Sequence, residues 1–348
     1  MTEPQTRTKY GYDALYELTS VTQSTTTTES YTYDSVGNRL SSLGLSPYVN
    51  NTSNELTSTP STTYTYDSNG NTSTKVNSSG TTQYFWDFEN RMSSVTLPGT
   101  GGTVTFKYDP FGRRIYKSSS SGTSVYSYDG DNLIEETNAT GTVVARYEQT
   151  QNFDEPLAML RSSATSYFHA DGLGSITSLS NSAGSIANTY TYDSFGKLTA
   201  STGSLVNAFQ YTARELDPET GLYYYRARYY DPSAGKFLSE DPIRFRGGTD
   251  FYKYVGNNST RFSDPTGLSG CESKFHQIAC HPLTSLWVLS TASVGLGGVS
   301  SVGGSAVGGG LLTLSGEAGG IAVVSAAAAP VLTVAAVIVG VAWALYCF

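Results

Sequence analysis

Residues 62–75, TTYTYDSNGNTSTK, contain the pattern that decides the fold of most of the chain. Side chains alternate between the two faces of a β-strand, so Tyr64 and Tyr66 share one face. Residues 67–71, DSNGN, favour a tight turn, because Asn and Gly tolerate positive φ angles. A second Thr-rich run follows this turn. The stretch therefore predicts a β-hairpin whose tyrosine rings supply the buried area.

The same phrase, an aromatic residue followed by Asp and a turn, recurs along the chain. Tyr66, Trp86 and Tyr108 follow one another at intervals of 20 and 22 residues, which fits two short strands and two turns. A lone hairpin is only marginally stable in water, so neighbouring hairpins must pair edge to edge. The copies of the phrase are Tyr12-Asp13, Tyr33-Asp34, Tyr66-Asp67, Trp86-Asp87, Tyr108-Asp109, Tyr128-Asp129 and Tyr192-Asp193.

Composition agrees with an all-β chain that is rich in turns. The sequence has 26 Tyr and 36 Gly, and 14% of its 348 residues are charged, against roughly 25% in ordinary domains. In the structural interpretation, the Tyr of each pair packs inside and the Asp caps the turn. The alternative is that exposed tyrosines bind carbohydrate, because aromatic residues are enriched at binding surfaces.

Charge and cysteine content limit the classes of function. The net charge is −8 and no run of five Lys or Arg residues occurs, so we expect no nucleic-acid partner. Residues 1–13 lack the apolar region of a Sec signal peptide, so export would use another system or a missing upstream portion. The first 270 residues rely on packing without disulfides, since the cysteines are Cys271, Cys280 and Cys347.

A denser segment replaces the repeats after Leu198. Its central stretch, residues 221–243, reads GLYYYRARYYDPSAGKFLSEDPI. Strand alternation would place Arg226 and Arg228 on one face, flanked by aromatic rings, where both require carboxylate partners. The Asp-Pro pairs of this segment are typical turn formers. The residues alone thus favour a structural role for these aspartates.

Residues 221–243, together with YKYVGNN at 252–258 and SDPTGL at 263–268, resemble the RHS repeat-associated core. With the Tyr-Asp (YD) repeats, the resemblance to the RHS/YD-repeat family covers residues 1–268. It implies stacked β-hairpins that form part of a spiralling shell, with the core closing one end. It also implies that the core cuts its own chain in an aspartic-protease-like reaction and frees a variable C-terminal segment, often a toxin.

The resemblance assigns roles to individual residues. Asp241 and Asp264 correspond to the catalytic pair, and Arg228 to the arginine that assists them. Cleavage would follow Leu268, so that Ser269 begins the released piece. Two close carboxylates do not ionise together easily, so one activates water while the other donates a proton to the scissile carbonyl.

The sequence departs from the family pattern in two ways. Ser259 stands where the family usually has Pro, which would fix the backbone that leads to Asp264. The repeats are also too few to enclose a cavity of useful volume. The chain is then either the distal part of a larger toxin or a separate cassette. An upstream shell or secretion-system component is therefore an expected partner, and unpaired strand edges would favour aggregation.

The C-terminal tail, residues 269–348, has a different composition. Residues 321–346 carry no charge and exceed the ~20 residues that span a bilayer, so we predict a hydrophobic transmembrane α-helix. Trp343 and Tyr346 would be its interfacial anchors. Three interpretations stay open: a membrane-inserting effector freed by cleavage, a plain anchor, or a tail that packs inside the shell.

The tail also contains Cys271, His276, Cys280 and His281, whose spacing is unlike that of a zinc site. A disulfide loop or free thiols are favoured, and we expect no metal and no cofactor.

The sequence thus predicts an all-β YD-repeat segment (1–198), a core segment (199–268) and a variable hydrophobic tail (269–348). The predicted function is that of the C-terminal part of a polymorphic toxin, secreted or on the cell surface, which cleaves itself once and has a cognate immunity protein. The alternative is a non-enzymatic cell-surface binding or structural protein anchored by its tail.

Overall fold

The computed structural model describes residues 7–268 and, beyond them, the backbone of a few short strands. The chain divides into two units, Met1–Gln277 and Ile278–Phe348. The predicted helix at 321–346 lies outside the described residues, except for the short strands Ile321–Val324 and Val334–Ala335. Among the described residues, no helix is long and apolar enough to cross a membrane. The short strands are Cys271–Glu272, Thr291–Ala292, Leu312–Ser315, Ile321–Val324 and Val334–Ala335.

The repeats form twenty antiparallel strands, and within each sheet every strand pairs with its neighbour in sequence. Strands β1–β4 make a four-stranded sheet and β5–β20 a sixteen-stranded sheet. The all-β prediction is therefore confirmed. The strands are β1 Thr8–Tyr12, β2 Leu18–Gln23, β3 Thr26–Tyr33, β4 Arg39–Ser42, β5 Val49–Asn50, β6 Leu56–Thr59, β7 Thr62–Tyr66, β8 Thr72–Asn77, β9 Gly80–Trp86, β10 Met92–Thr96, β11 Thr103–Tyr108, β12 Arg114–Ser119, β13 Gly122–Asp129, β14 Asn132–Asn138, β15 Val143–Gln149, β16 Pro156–Arg161, β17 Ala164–Ala170, β18 Ile176–Asn181, β19 Ile186–Tyr192 and β20 Leu198–Thr202.

Six of the seven YD phrases end a strand and cap the turn that follows; the exception is Asp129, which is itself the last residue of the strand Gly122–Asp129. In the turn between β7 and β8, Asp67 Oδ1 accepts hydrogen bonds from the N–H groups of Asn69 and Asn71, at 2.8 and 2.9 Å. The first aromatic residue of the phrase, Tyr64, is buried, and the second, Tyr66, donates its hydroxyl to a backbone carbonyl of the preceding hairpin. The structural interpretation of the pairs is thus confirmed for this hairpin. The same capping occurs at Asp13, Asp34, Asp87, Asp109, Asp171 and Asp193.

The core segment forms a small inner sheet and several turns. Strands β21–β24 pair in sequence order, and β25 lies near the end of the described chain. The strands are β21 Glu215–Asp217, β22 Leu222–Tyr225, β23 Arg228–Asp231, β24 Lys236–Phe237 and β25 Phe262–Ser263. The 3₁₀ turns are Tyr211–Ala213, Arg244–Gly247 and Val255–Asn257.

The repeat strands surround the core segment. Each hydrophobic cluster joins residues of both, such as Tyr84 of β9 with Tyr229 of β23. Both carboxylate oxygens of Glu29 in β3 accept a hydrogen bond from the N–H of Ser194, in the turn after β19, at 3.1 Å. The first sheet thereby meets the far end of the second. The core segment packs against strands of both repeat sheets.

One local prediction is wrong. Alternation placed Arg226 and Arg228 on one face of a single strand, but the chain reverses between them. Tyr225 pairs with Arg228 across a two-residue turn, and Arg226 takes a positive φ of 55°. Both faces of β22 and β23 are buried, so the sequence shows an unbroken aromatic run instead of an alternation. The turn itself lacks the Asn, Asp or Gly that would indicate a turn in the sequence.

Candidate active site

The three residues that the sequence predicted as a catalytic group lie together. Arg228 begins β23, Asp241 precedes the turn at Arg244–Gly247, and Asp264 follows β25. The Nη2 atom of Arg228 lies 2.9 Å from Oδ2 of Asp241 and 3.5 Å from Oδ2 of Asp264. The relative exposures of the three residues, in chain order, are 2%, 5% and 1%. Two carboxylates therefore share one guanidinium nitrogen in a site almost closed to solvent.

Arg228 is fixed by contacts on its remaining sides. Its Nη1 donates to the Phe251 carbonyl at 3.0 Å, and its Nε donates to the Gly267 carbonyl. The guanidinium also stacks on the Phe237 ring, 3.6 Å from the centroid. Burial lowers the pKa of Arg228, although a guanidinium stays charged in proteins. The site thus keeps a single oriented positive charge between two acids.

The Asp241 carboxyl is the one that favours its protonated form. Burial raises its pKa to about 6, against the opposing effects of Arg228 and of the Ile243 N–H, which donates to Oδ1 at 2.9 Å. The nearby charge of Asp264 raises it further. Asp241 therefore keeps its proton to a higher pH than an ordinary aspartic acid does.

Asp264 contacts the predicted cleavage segment directly. Its Oδ1 accepts hydrogen bonds from the Leu268 N–H at 3.1 Å and from Thr266 Oγ1 at 3.3 Å. Gly267, between them, has a φ of +73°, and a Cβ there would collide with the Tyr225 carbonyl. Only glycine fits this approach. Leu268 thus lies at the site, while Ser269 is outside the described residues.

A polar cleft of about 540 Å³ reaches the site. Its lining includes Asp241 and Ala227 of the core segment together with turns of the repeat strands, among them Asn71 and Asn90. A cleft of this size and polarity has room for several water molecules with hydrogen-bond partners. Water can therefore reach Asp241 although the carboxyl is buried.

Ser259, at the position where Pro was expected, is fully buried. Its carbonyl accepts the Tyr211 hydroxyl at 3.4 Å. Its own hydroxyl has no hydrogen-bond partner among the residues that the structure describes. A buried hydroxyl without a partner is unfavourable, so nothing in its contacts explains Ser at this position.

Sequence reasoning did not place Arg226, which also contacts this segment, or its partner Asp154 at the site. Arg226 donates from Nη1 to the Pro265 carbonyl, and its guanidinium is paired with Asp154. The arginine carried a signal, since it was expected to find a carboxylate. Asp154 carried no such signal, because it belongs to an irregular turn between β15 and β16 that lacks the full YD phrase.

Comparison with known proteins agrees with this architecture. The family model described as Teneurin YD-shell matches residues 1–259, which is more than half of the chain. The chain belongs to the YD-shell family. The predicted resemblance to RHS/YD-repeat proteins is thereby confirmed, because the curated relatives of this YD-shell protein include an Rhs protein and other toxins.

Two relatives illustrate the similarity. Double-stranded DNA deaminase toxin A of Burkholderia cenocepacia is 33% identical over 109 residues, which is 30% of this chain and 8% of that protein. The probable deoxyribonuclease RhsB of Dickeya dadantii is 54% identical over 55 residues, 16% of this chain and 4% of that protein. This chain thus matches less than a tenth of either relative.

A similar solved structure is the TcdB2-TccC3-Cdc42 crystal structure. It is 20% identical, has a TM-score of 0.49, and is matched over 76% of this chain and 17% of that chain.

Proposed function

We propose that this YD-shell protein is the C-terminal part of an RHS-type toxin whose core segment cuts its own chain once, between Leu268 and Ser269. The supporting observation is the contact of one Arg228 nitrogen with both Asp241 and Asp264. Two acids around one buried cation are weak evidence for stability, because their desolvation penalty is large. Groups with perturbed pKa values, such as Asp241, cluster at functional sites.

The pKa of Asp241 assigns the roles in this proposal. In this proposal Asp264 takes a proton from water, and the water oxygen attacks the Leu268 carbonyl carbon. Asp241 gives its proton to the carbonyl oxygen. The tetrahedral intermediate then breaks its C–N bond: the Ser269 nitrogen takes the proton from Asp264, and a hydroxyl of the intermediate returns a proton to Asp241. The products are a Leu268 carboxylate and a Ser269 amine, and proximity replaces substrate binding.

The test is the fate of the full chain after purification. The wild type is expected to run as two pieces, the smaller beginning at Ser269 by N-terminal sequencing. Asp241→Asn and Asp264→Asn are expected to stay intact, because each removes one of the two proton-transferring groups. Asp129→Asn, at an exposed turn, is the matched control and should be cut like the wild type. Cleavage of the Asp264→Asn variant at the same bond would contradict the mechanism. An intact wild type would favour the non-enzymatic surface protein.

The released piece, residues 269–348, is proposed to act on a membrane through residues 321–346. Its support is the uncharged stretch of sequence, together with the toxin relatives. Secretion or surface display, an upstream shell component and an immunity protein are part of the same proposal. The absence of a nucleic-acid partner stays a prediction, since two relatives are named for action on DNA.

Lipid vesicles test the membrane proposal. The cleaved wild-type preparation is expected to release a dye trapped in phosphatidylglycerol-containing vesicles, because an uncharged span of this length partitions into lipid. The uncut Asp264→Asn variant is the control and should release less. Retention of the dye by vesicles that receive the cleaved protein would contradict a membrane-active segment.

A further inference from the structure

Arg226 occupies the turn between β22 and β23, immediately before the candidate active site. It holds a positive φ of 55°, which is unusual for a residue other than glycine. Its guanidinium is paired with Asp154 through two atoms, Nη2 to Oδ1 at 2.9 Å and Nη1 to Oδ2 at 3.2 Å. A two-point pair of this kind fixes both the position and the orientation of the guanidinium. Strained residues of this kind concentrate at functional sites.

The same guanidinium contacts the segment that carries the cleavage site. Its Nη1 donates to the carbonyl of Pro265, the residue after Asp264. The next residue of the turn, Ala227, donates its N–H to the Thr266 carbonyl at 3.1 Å. Two consecutive carbonyls between Asp264 and Leu268 are therefore held by one turn.

Asp154 belongs to the repeat strands and is itself firmly placed. It is buried, lies in the turn between β15 and β16, and also forms an ion pair with the buried Arg214. Arg226 has a second contact with the repeats, since its Nη2 donates to the carbonyl of Asp131, between β13 and β14, at 3.3 Å. The position of Arg226 thus depends on two neighbouring turns of the repeat sheet.

We propose that Arg226 is a positioning residue for self-cleavage, and that Asp154 makes its position conditional on the folding of repeat strands β13–β16. The inference rests on the proposed function and deepens it. Arg226 touches none of the reacting atoms. It holds the Pro265 carbonyl, so that Asp264 and the Leu268 N–H stay in contact. Cleavage then waits until this part of the shell has formed around the core segment.

The experiment follows cleavage of the full chain after cell-free synthesis. Arg226→Ala is expected to slow the appearance of the Ser269 fragment about 100-fold, the effect of a displacement of roughly 1 Å. The pH at which the rate is half-maximal should stay unchanged, because burial, Arg228, the Ile243 N–H and Asp264 set the pKa of Asp241. Added guanidinium ion, at concentrations well below denaturing ones, should restore part of the rate. The matched control, Arg146→Ala, removes a pair with Glu135 that is largely exposed, and should cleave like the wild type.

Two further variants make the outcome decisive. Arg226→Lys keeps the charge but not the two-point geometry, so it should fold normally and cleave at an intermediate rate. Asp154→Asn leaves the arginine in place with a weakened partner, and should also slow cleavage. Wild-type rates in Arg226→Ala and Arg226→Lys, with Asp264→Asn still uncut, would overturn the positioning role alone. Cleavage of Asp264→Asn would instead overturn the proposed function.

Discussion

Three arginines of the core segment lie close in sequence, yet their carboxylate partners come from two different parts of the chain. Arg214 and Arg226 both pair with Asp154, which the repeat strands supply. Arg228 pairs with Asp241 and Asp264, which belong to the core segment itself. Arg214 and Arg226 therefore attach the core segment to the repeat strands. Arg228 instead brings together two aspartates separated by 23 residues of chain.

The raised pKa of Asp241 predicts a defined pH dependence for the proposed self-cleavage. Burial raises the pKa of this carboxyl to about 6, so it is protonated below that pH and ionised above it. An acid that donates its proton is active only while protonated. The rate is therefore expected to fall as pH rises through about 6, roughly tenfold for each further pH unit. The measurement is the initial rate of fragment formation by newly synthesised full-length chain.

Circular dichroism over the same pH range is the control for folding. The folded-state pKa of Asp241 lies above the ordinary value of 3.8. Its contribution to stability is thus fully present below pH 3.8 and is lost as pH rises through about 6. A folded protein whose cleavage rate increases through this interval would show that Asp241 acts as the base, with the two roles exchanged.

At the scale of the strands, one hydrogen bond repeats with the hairpins. In six of the seven phrases, the second aromatic residue donates a hydrogen bond to the carbonyl of the first residue of the preceding strand; Trp86 does so to Thr72. Each such bond contributes about 1 kcal/mol net, and a series of them fixes the spacing between hairpins. The sequence predicted that the hydroxyls find solvent or a partner, but not which one. The pairs are Tyr33 with Leu18, Tyr66 with Leu56, Tyr108 with Met92, Tyr128 with Arg114 and Tyr192 with Ile176.

The turns of neighbouring hairpins are also joined by side chains. Asn90 takes the left-handed position of its turn, with a φ of 58°, where most other YD turns have glycine. Its side-chain oxygen accepts hydrogen bonds from the amides of Asn69 and Asn71 in the preceding turn, both at 2.9 Å. Asn tolerates this backbone conformation, so Asn90 in place of glycine adds a contact between the turns at small conformational cost.

The strands of the core segment were less predictable than the repeats. The turn at Arg226 and Ala227 has no Gly, Pro, Asn or Asp, and the strands on both sides of it are buried and rich in tyrosine. Tertiary packing holds Arg226 in its strained conformation through Asp154 and the Pro265 carbonyl. A local pattern cannot indicate a turn whose stabilising contacts come from other strands.

Across the whole molecule, buried ion pairs connect the repeat strands to the core segment. Arg114 of β12 is 1% exposed and pairs with Glu215 and Asp217 of β21. Lys75 of β8 pairs in the same way with Asp231 of β23, at 2.6 Å. Because each pair joins groups about 100 or more residues apart, we expect the repeats and the core segment to unfold together.

Arg114→Ala tests this coupling. The substitution leaves the carboxylates of Glu215 and Asp217 buried without their main cation, which is expected to lower the free energy of unfolding by about 3–5 kcal/mol. Urea denaturation of the full chain, monitored by tyrosine fluorescence, measures the change. Arg146→Ala, at a largely exposed pair, is the control and should change it by less than about 1 kcal/mol. A similarly small loss in Arg114→Ala would mean that the core and the repeats are held together by apolar packing alone.

The sequence by itself determined the hairpins and their turns, and its resemblance to the RHS/YD-repeat family supplied the candidate residues of the cleavage site. These features depend on alternation, on turn residues and on short strings such as residues 263–268, all of which act over a few positions. The tertiary structure decided that Asp241 and Asp264 share one arginine nitrogen, and that Asp154 places Arg226 beside them. Contacts between distant residues arise only when the repeats close around the core, because that closure alone sets which buried charges must neutralise one another.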